Sequence, residues 1–180
     1  MDNPSNVKSL LILEKMNPKT TKKINCEKER KMRVETKTWG LSEEDLDHDR
    51  QMNVLKNTID DNDKYKSTCL SHIRSKLSGY RQQDILKKKL DETKFVSFNE
   101  AVTLLRDCEL KCHYCSQAVY ILYERVREMK QWSLDRIDNN IGHNSGNLVV
   151  ACLECNLKRR RTNKDAFMFT KNLVITRDGI

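Results

Sequence analysis

Four cysteines lie in two closely spaced pairs in the C-terminal half of the chain. Cys112 and Cys115 form one Cys-x-x-Cys pair, and Cys152 and Cys155 form the second. Thiolates are favoured ligands of Zn²⁺, which takes four of them at the corners of a tetrahedron. A complete set of four sulfur ligands leaves no open coordination position, so the spacing predicts a structural zinc ion. A redox dithiol would need only one such pair, in a thioredoxin-like sequence that this chain lacks.

The segment between and after the two pairs carries polar side chains that suit a second metal ion. Asp135 lies near the end of a predicted strand, residues 132–137, and Asn156 directly follows the second cysteine pair, near the start of a helix predicted from Leu153 onward. A carboxylate oxygen and an amide oxygen are ligands for Mg²⁺ or Mn²⁺ rather than for another zinc ion. We therefore expect a single divalent cation between the end of this strand and the start of the helix.

The order of these features resembles the HNH nuclease motif of the ββα-metal fold, in the subclass with a zinc-bound Cys-x-x-Cys…Cys-x-x-Cys-Asn frame. The resemblance covers about residues 108–162 and is particularly close to HNH proteins of large DNA viruses. Besides the zinc frame it rests on four features, which are Asp135-Arg-Ile-Asp138-Asn, the Gly142-His143 turn, Asn147 before an apolar strand, and Cys155-Asn156.

The resemblance implies a role for each matching residue. Asp135 would bind the catalytic metal ion, Asn147 would brace the loop by hydrogen bonds, and Asn156 would be the second ligand of that metal. The family usually places its general base, a histidine, directly after the aspartate, where this chain has Arg136. Arginine stays protonated at any working pH, so it does not take a proton from water, although it can clamp a phosphate by two parallel hydrogen bonds.

The departure at Arg136 means that another group must activate the water. His143 is the first candidate because the pKa of histidine lies near working pH, and Asp138 is the second. Simple turn chemistry is the alternative explanation for both residues, since residues 139–146 have the composition of a loop. The reaction that the resemblance implies is phosphodiester hydrolysis, in which a metal ion stabilises the charge that develops on the phosphate.

A basic run follows the second cysteine pair. Lys158, Arg159, Arg160 and Arg161, with Lys164 on the same predicted helix, adjoin the expected metal site. We expect them to contact substrate phosphates, which supply affinity without sequence information. A basic helix end that complements the helix dipole is the alternative. The net charge of +8 and the pI of about 9.1 favour polyanion partners, nucleic acid first and an anionic membrane surface second.

The elements that position these residues follow from composition and periodicity. Residues 1–65 are rich in charge and poor in apolar side chains, which predicts a flexible arm or, as a sharper hypothesis, a partner-binding arm. Residues 66–107 are predicted to be helical, with a kink or break at Gly79. Ser97 and Glu100 form a capping box, which predicts that a helix begins there.

Residues 108–180 are predicted to form the zinc-stabilised module. Residues 118–123, 132–137 and 147–151 are rich in β-branched or aromatic side chains and are predicted strands, and a helix is expected from Leu153 onward. The predicted fold class is therefore α+β, with a small ββα-metal module preceded by a helical and partly disordered region.

Composition also narrows the functional classes. No run of about 18 apolar residues occurs and the first residues do not resemble a signal peptide, so no membrane span is expected and the protein is predicted to be intracellular. An odd number of cysteines, seven, argues against a disulfide framework, and Cys26, Cys69 and Cys108 are expected to be free thiols.

Three functions remain open at this stage. An HNH endonuclease acting on DNA is favoured, because Asp135, Asn147 and Asn156 form a set that a binding module does not need. A zinc-stabilised nucleic-acid-binding module without catalysis is the first alternative, with Arg136 marking a disabled site. A zinc-held protein-interaction module is the second alternative, and the basic run argues against it.

Overall fold

The computed structural model of the chain describes residues 31–34 and 39–173. In these residues the fold is mixed α+β, with five α-helices, a short 3₁₀ helix (Glu43–Leu46) and a two-stranded sheet. The helices and strands are, in chain order, α1 (His48–Leu55), α2 (Lys64–Leu86), α3 (Phe98–Asp107), β1 (Trp132–Arg136), β2 (Leu148–Cys152), α4 (Leu153–Arg159) and α5 (Lys164–Asn172).

The two strands and α4 form a continuous ββα unit. β1 pairs antiparallel with β2, and Trp132 lies opposite Cys152 while Arg136 lies opposite Leu148. Cys152 ends β2 and also caps α4, since its Sγ accepts a hydrogen bond from the backbone N–H of Cys155 at 3.3 Å. The predicted strands at 132–137 and 147–151, and the predicted helix from Leu153, are confirmed to within one residue.

The predicted strand at residues 118–123 does not form. Gln51 of α1 is fully buried, and its Oε1 accepts hydrogen bonds from the backbone N–H groups of Ile121 and Leu122 at 2.6 and 3.0 Å. Its Nε2 donates to the carbonyl oxygen of Leu122 at 3.3 Å. The rest of the segment makes only isolated bridges, Ala118 with Lys111 and Tyr120 with Gln131. Gln51 thus takes the place of a continuous partner strand at Ile121 and Leu122.

Part of the predicted flexible arm is folded. Helix α1 places Met52, Val54 and Leu55 in the hydrophobic core, so the arm prediction is wrong for residues 43–55. Three apolar side chains in an eight-residue helix give too short a pattern to reveal a helical period. Residues 1–30, which include Cys26, lie outside the described residues.

Helix α2 runs without interruption through Gly79, so the predicted break into two helices is wrong. No heavy atom lies within 4 Å of the position that a Cβ of Gly79 would occupy. Glycine weakens a helix by about 1 kcal/mol relative to alanine, which is too little to end a helix held by tertiary contacts.

Side chains of α2 bind the free edge of β1. Lys76 donates to the carbonyl oxygen of Trp132, and one turn later the hydroxyl of Tyr80 accepts from the backbone N–H of Leu134 at 3.0 Å. These bonds satisfy groups that a third strand would otherwise pair. They also fix the C-terminal part of α2, which carries Asp84, beside the sheet.

Helix α3 starts at the predicted cap, but only half of the capping box forms. The Ser97 hydroxyl accepts from the backbone N–H of Glu100 at 3.2 Å. The Glu100 carboxylate accepts instead from the hydroxyl of Ser145 at 2.7 Å. Glu100 therefore ties α3 to the loop between the strands.

One hydrophobic core joins the predicted helical region to the predicted module. It contains Ile73 of α2, Leu105 of α3, Leu134 of β1 and Val150 of β2. Residues 66–107 and the following residues therefore pack as one body around the ββα unit. Among the described helices, none has the length and apolar character needed to cross a membrane.

Candidate functional site

The two cysteine pairs meet at one point. The Sγ atoms of Cys112, Cys115, Cys152 and Cys155 all lie within 4.8 Å of one another, and those of Cys115 and Cys152 are 3.9 Å apart. With a Zn–S bond of about 2.3 Å, a regular tetrahedron places its sulfur atoms about 3.8 Å apart. The cluster therefore has the size and the donor set to hold a metal ion such as zinc.

The first cysteine pair also positions a side chain outside the metal cluster. The backbone N–H of His113 donates to the carbonyl oxygen of Val150 at 2.8 Å, which docks the pair on β2. Tyr114, between the two cysteines, is buried, and its hydroxyl donates to Oδ2 of Asp135 at 2.7 Å. A metal ion on the cysteines would thus hold one partner of Asp135 in place.

Asp135 lies on β1 with both carboxylate oxygens engaged. Oδ2 accepts from Tyr114, and Oδ1 accepts from Nη1 of Arg159 at 2.7 Å. Burial raises the pKa of Asp135, whereas Tyr114 and the Arg159 guanidinium oppose that rise. The ion pair is enclosed, because the Asp135 side chain is 5% exposed and that of Arg159 is 0% exposed.

This position of Arg159 corrects the prediction that it contacts substrate phosphates from the surface. Its guanidinium is buried, and Nη2 donates to the carbonyl oxygen of Ile137 at 3.0 Å. Nothing in the sequence distinguishes Arg159 from the other three residues of this basic run. Its burial was therefore not predictable from the sequence.

The remaining basic residues take different places. Helix α4 ends at Arg159, so the predicted continuous helix to Lys164 is wrong; Arg160 has a φ of 53° and α5 begins separately. Lys158 is exposed and pairs with Glu154. Arg160 lines the cleft described next, and Arg161 lines a neighbouring groove.

A cleft of about 240 Å³ lies between α2, β1, the inter-strand loop and α4. It brings together five of the predicted site residues, namely Asp135, Arg136, His143, Asn156 and Arg160. The other lining residues are Tyr80, Gln83, Lys87, Leu134, Asn139 and Leu157. One acid, one histidine and three cations therefore share the walls of a space that can admit a phosphate group.

Asn156 is one of the residues that line this cleft. Its Nδ2 donates to the hydroxyl of Ser133 at 3.1 Å, which orients the amide. Within the described residues, Oδ1 of Asn156 accepts no hydrogen bond. Asp135 and Asn156 thus line one cavity with a carboxylate and an amide, the ligand types that Mg²⁺ or Mn²⁺ takes, and both oxygens of the carboxylate are already bonded to Tyr114 and Arg159.

His143 is held by Asp84, a residue that the sequence did not single out. Its Nδ1 is 3.0 Å from both carboxylate oxygens of Asp84, and its backbone N–H donates to Oδ2 at 2.6 Å. The Tyr80 ring stacks on the imidazole with a centroid distance of 4.5 Å. The two partners are 59 residues apart in the chain, and no spacing rule connects them.

The second ring nitrogen of His143, Nε2, has no hydrogen-bond partner in the part of the chain that the structure describes. Burial lowers the pKa of His143, and the Asp84 carboxylate opposes this shift. The net direction is a pKa below the ordinary value of 6.5, so the imidazole is neutral at pH 7. A neutral imidazole with one unoccupied nitrogen can accept a proton.

Arg136 lies beside this pair. Its Nη1 is 3.9 Å from Oδ1 of Asp84, and it donates to the carbonyl oxygen of Ile141 at 3.4 Å. The side chain is 13% exposed and lines the cleft. Arg136 can therefore offset the buried charge of Asp84 and also face a bound phosphate.

Asp138 and Asn147 lie outside the cleft lining and shape the loop between the strands. Asn147 is buried, its Oδ1 accepts from the backbone N–H of Asp138, and its Nδ2 donates to the carbonyl oxygens of Asp138 and Gly142. Asp138 is exposed, and its Oδ1 accepts from the backbone N–H of Asn140 at 2.8 Å. This is local turn chemistry.

Gly142 is needed for the close approach of the loop to α2. A Cβ at this position would lie 2.5 Å from the carbonyl oxygen of Lys89 and 2.7 Å from Oδ2 of Asp84. Gly142→Ala must displace backbone or the Asp84 carboxylate, so we expect a loss of about 1–3 kcal/mol in the free energy of unfolding. Urea unfolding of the zinc-loaded protein measures this loss.

The matched control is Gly79→Ala in the middle of α2. The space around Gly79 is open, so alanine there should raise the free energy of unfolding by about 0.5–1 kcal/mol. If Gly142→Ala left the free energy of unfolding unchanged, or raised it as Gly79→Ala is expected to do, the close packing of Gly142 on Asp84 would be contradicted.

Comparisons of the chain with protein-family models, with curated proteins and with solved structures found no match. What the site can do therefore follows from its own residues. These are a cysteine cluster sized for a metal ion, and a cleft that joins a neutral histidine to cations and hard oxygen donors.

Proposed function

We propose that the chain is a metal-dependent endonuclease of the HNH type that hydrolyses phosphodiester bonds in DNA. The observation that carries this proposal is the cleft in which His143, Arg136, Asp135 and Asn156 converge on the ββα unit. A proton acceptor, a phosphate-binding cation and hard oxygen donors are the groups that phosphodiester hydrolysis requires, and here they line one cavity.

His143 is proposed as the general base. Its Nε2 takes a proton from a water molecule while the water oxygen forms a bond to the scissile phosphorus. The bond between phosphorus and the 3′ oxygen breaks, and that oxygen is protonated from solvent. Help of this kind from a general base accelerates a reaction by about 10²–10⁴-fold.

Three cations on the cleft walls are proposed to bind the phosphate. Arg136 belongs to β1, whereas Lys87 and Arg160 directly follow α2 and α4, so the three cations reach the cleft from three different elements. A guanidinium binds phosphate through parallel hydrogen bonds, and it keeps its charge at any working pH. Binding is therefore expected to weaken as salt concentration rises.

Two metal ions are part of the proposal. Zn²⁺ on the four cysteines would be structural, because the cluster fills its coordination positions. Asp135 and Asn156 would hold Mg²⁺ or Mn²⁺, which when bound supplies charge stabilisation to the phosphate and the leaving oxygen. Since Arg159 already neutralises Asp135, we expect weak metal affinity in the absence of substrate.

The second candidate is a zinc-stabilised module that binds nucleic acid without cutting it. The Asp135–Arg159 ion pair favours this alternative, because a buried guanidinium competes with a metal ion for the carboxylate. Both candidate functions use the basic cleft to bind nucleic acid. They differ in whether the bound strand is cut.

A plasmid-nicking assay separates the candidates. Zinc-loaded protein is incubated with supercoiled DNA at low ionic strength, with Mg²⁺ or Mn²⁺ or without an added divalent ion, and a gel shift measures binding in parallel. Nicking that requires the added ion supports the endonuclease. Binding without nicking under either ion would assign the chain to the binding module.

The Asp135 variants test the metal-binding part of the proposal. From the sequence, Asp135→Ala would be expected to leave the fold intact. The burial of Arg159 changes this expectation, because an unpaired buried charge costs about 3–5 kcal/mol. Asp135→Asn retains shape and one acceptor oxygen, so we expect it to remain folded and to lose cleavage about 100-fold or more.

Thermal unfolding, zinc content and nicking rate are compared for both Asp135 variants. A folded, zinc-loaded Asp135→Asn protein that nicks DNA at the wild-type rate would remove Asp135 from the reaction.

A further inference from the structure

We propose that Asp84 is a positioning residue that holds His143 in the tautomer with the proton on Nδ1, so that the lone pair of Nε2 faces the cleft. This inference rests on the proposed function, in which His143 is the base. Asp84 belongs to α2 and lies outside the segment that resembles the HNH motif.

The contacts of Asp84 define the tautomer. An ionised carboxylate only accepts hydrogen bonds. Asp84 receives one from the backbone N–H of His143 at 2.6 Å, and its oxygens are 3.0 Å from Nδ1 of the same residue. For Nδ1 to bond with a group that has no proton, Nδ1 must carry the hydrogen. The neutral ring then has its lone pair on Nε2.

The surroundings of Asp84 keep this arrangement rigid. The Asp84 side chain is 0% exposed, and Arg136 lies 3.9 Å away as its nearest opposite charge. Gly142 packs against the carboxylate without a side chain, and the Tyr80 ring covers one face of the imidazole. The carboxylate and the ring are therefore packed closely against each other and their neighbours.

The charges around His143 come from two elements. Asp84 of α2 favours the protonated ring, whereas burial, Lys87 at the C-terminal cap of α2 and Arg136 of β1 disfavour it. Arg136 occupies the position at which the family usually has its base. In this chain we assign Arg136 a different role. It offsets the negative charge of the buried Asp84 carboxylate, next to His143, which is the proposed base.

Asp84→Asn separates positioning from packing, because the side chain keeps its shape and loses one acceptor. The amide oxygen can accept from the backbone N–H of His143, and the amide nitrogen then faces Nδ1 as a donor. Nδ1 must become the acceptor, and the proton moves to Nε2. A ring protonated on Nε2 cannot take a proton from water there.

The experiment records the ring ¹⁵N chemical shifts of His143 and the single-turnover rate of DNA cleavage with Mg²⁺ in zinc-loaded protein. Wild type is expected to show a protonated Nδ1 and an unprotonated Nε2. Asp84→Asn is expected to reverse this pattern and to lower the rate by about 10²–10⁴-fold. Asp107→Asn, at an exposed acid that ends α3, is the matched control and should change neither readout.

The outcomes distinguish this inference from the proposed function. Wild type with the proton on Nε2, or Asp84→Asn with unchanged shifts and rate, would overturn the positioning role while the nuclease stands. A tautomer that reverses in Asp84→Asn, in a wild-type protein that never cuts, would uphold the positioning and overturn the nuclease.

Discussion

Cys152→Ser is expected to lose its bound zinc and to unfold the ββα unit. Cys152 is at once a member of the cysteine cluster, the last residue of β2 and the cap of α4. Structural zinc in small domains contributes about 10–16 kcal/mol at pH 7. That is as large as the whole stability of a typical domain, about 5–15 kcal/mol. The loss of one ligand therefore removes more stability than the remaining core supplies.

Zinc content by mass spectrometry of metals and secondary structure by circular dichroism measure both effects. Wild type should contain about one zinc ion per chain, as a cluster of four thiolates requires. Cys108→Ser is the matched control, because Cys108 lies outside the cluster and its Sγ donates only to the carbonyl oxygen of Leu105. A Cys152→Ser protein with full zinc content and wild-type unfolding would show that the cluster is not the metal site.

The second large effect is expected at His143. His143→Ala should lower the single-turnover cleavage rate by about 10²–10⁴-fold, because water would have to lose its proton without a general base. His48→Ala is the control, since His48 is a half-buried histidine of α1 that contacts Tyr120 and Leu110 away from the cleft. Thermal unfolding of both variants shows whether the fold is retained.

The pH dependence gives an independent signature of His143. A general base acts only when it is unprotonated, so the rate rises as pH increases through its pKa and is constant above it. Burial places that pKa below the ordinary 6.5, and the wild-type rate should therefore be level from about pH 7 upward and fall in acid. His143→Ala should lack this fall. A wild-type rate that keeps rising tenfold per pH unit above pH 7 would point to a metal-bound water instead.

Local sequence patterns correctly predicted the parts of the fold that depend on residues close together in the chain. The cysteine spacing predicted the cluster, and β-branched residues next to polar turns predicted β1 and β2. Composition wrongly predicted a strand at residues 118–123. There Gln51, which is 70 residues away from Ile121 in the chain, takes the place of a partner strand. Such a contact is decided by tertiary packing, and no local pattern encodes it.

The candidate site, like the fold, was predictable from the sequence only in part. Asp135, Arg136, His143 and Asn156 were identified from order and residue type, and they line one cleft. Asp84 and the burial of Arg159 were not, because both depend on how α2 and α4 pack on the sheet. The catalytic roles and the Mg²⁺ or Mn²⁺ site stay predictions that the experiments above address.

The most direct test of the central claim is the chemistry of the cut ends. Zinc-loaded wild type and His143→Ala, purified in parallel, are incubated with Mg²⁺ and an end-labelled DNA duplex, and the products are resolved by size and by phosphatase treatment. Water attack with departure of the 3′ oxygen predicts 5′-phosphate and 3′-hydroxyl ends from wild type, at a rate that His143→Ala lowers by about 10²–10⁴-fold. Products with 3′-phosphate ends, or equal rates from both proteins, would contradict hydrolysis by His143.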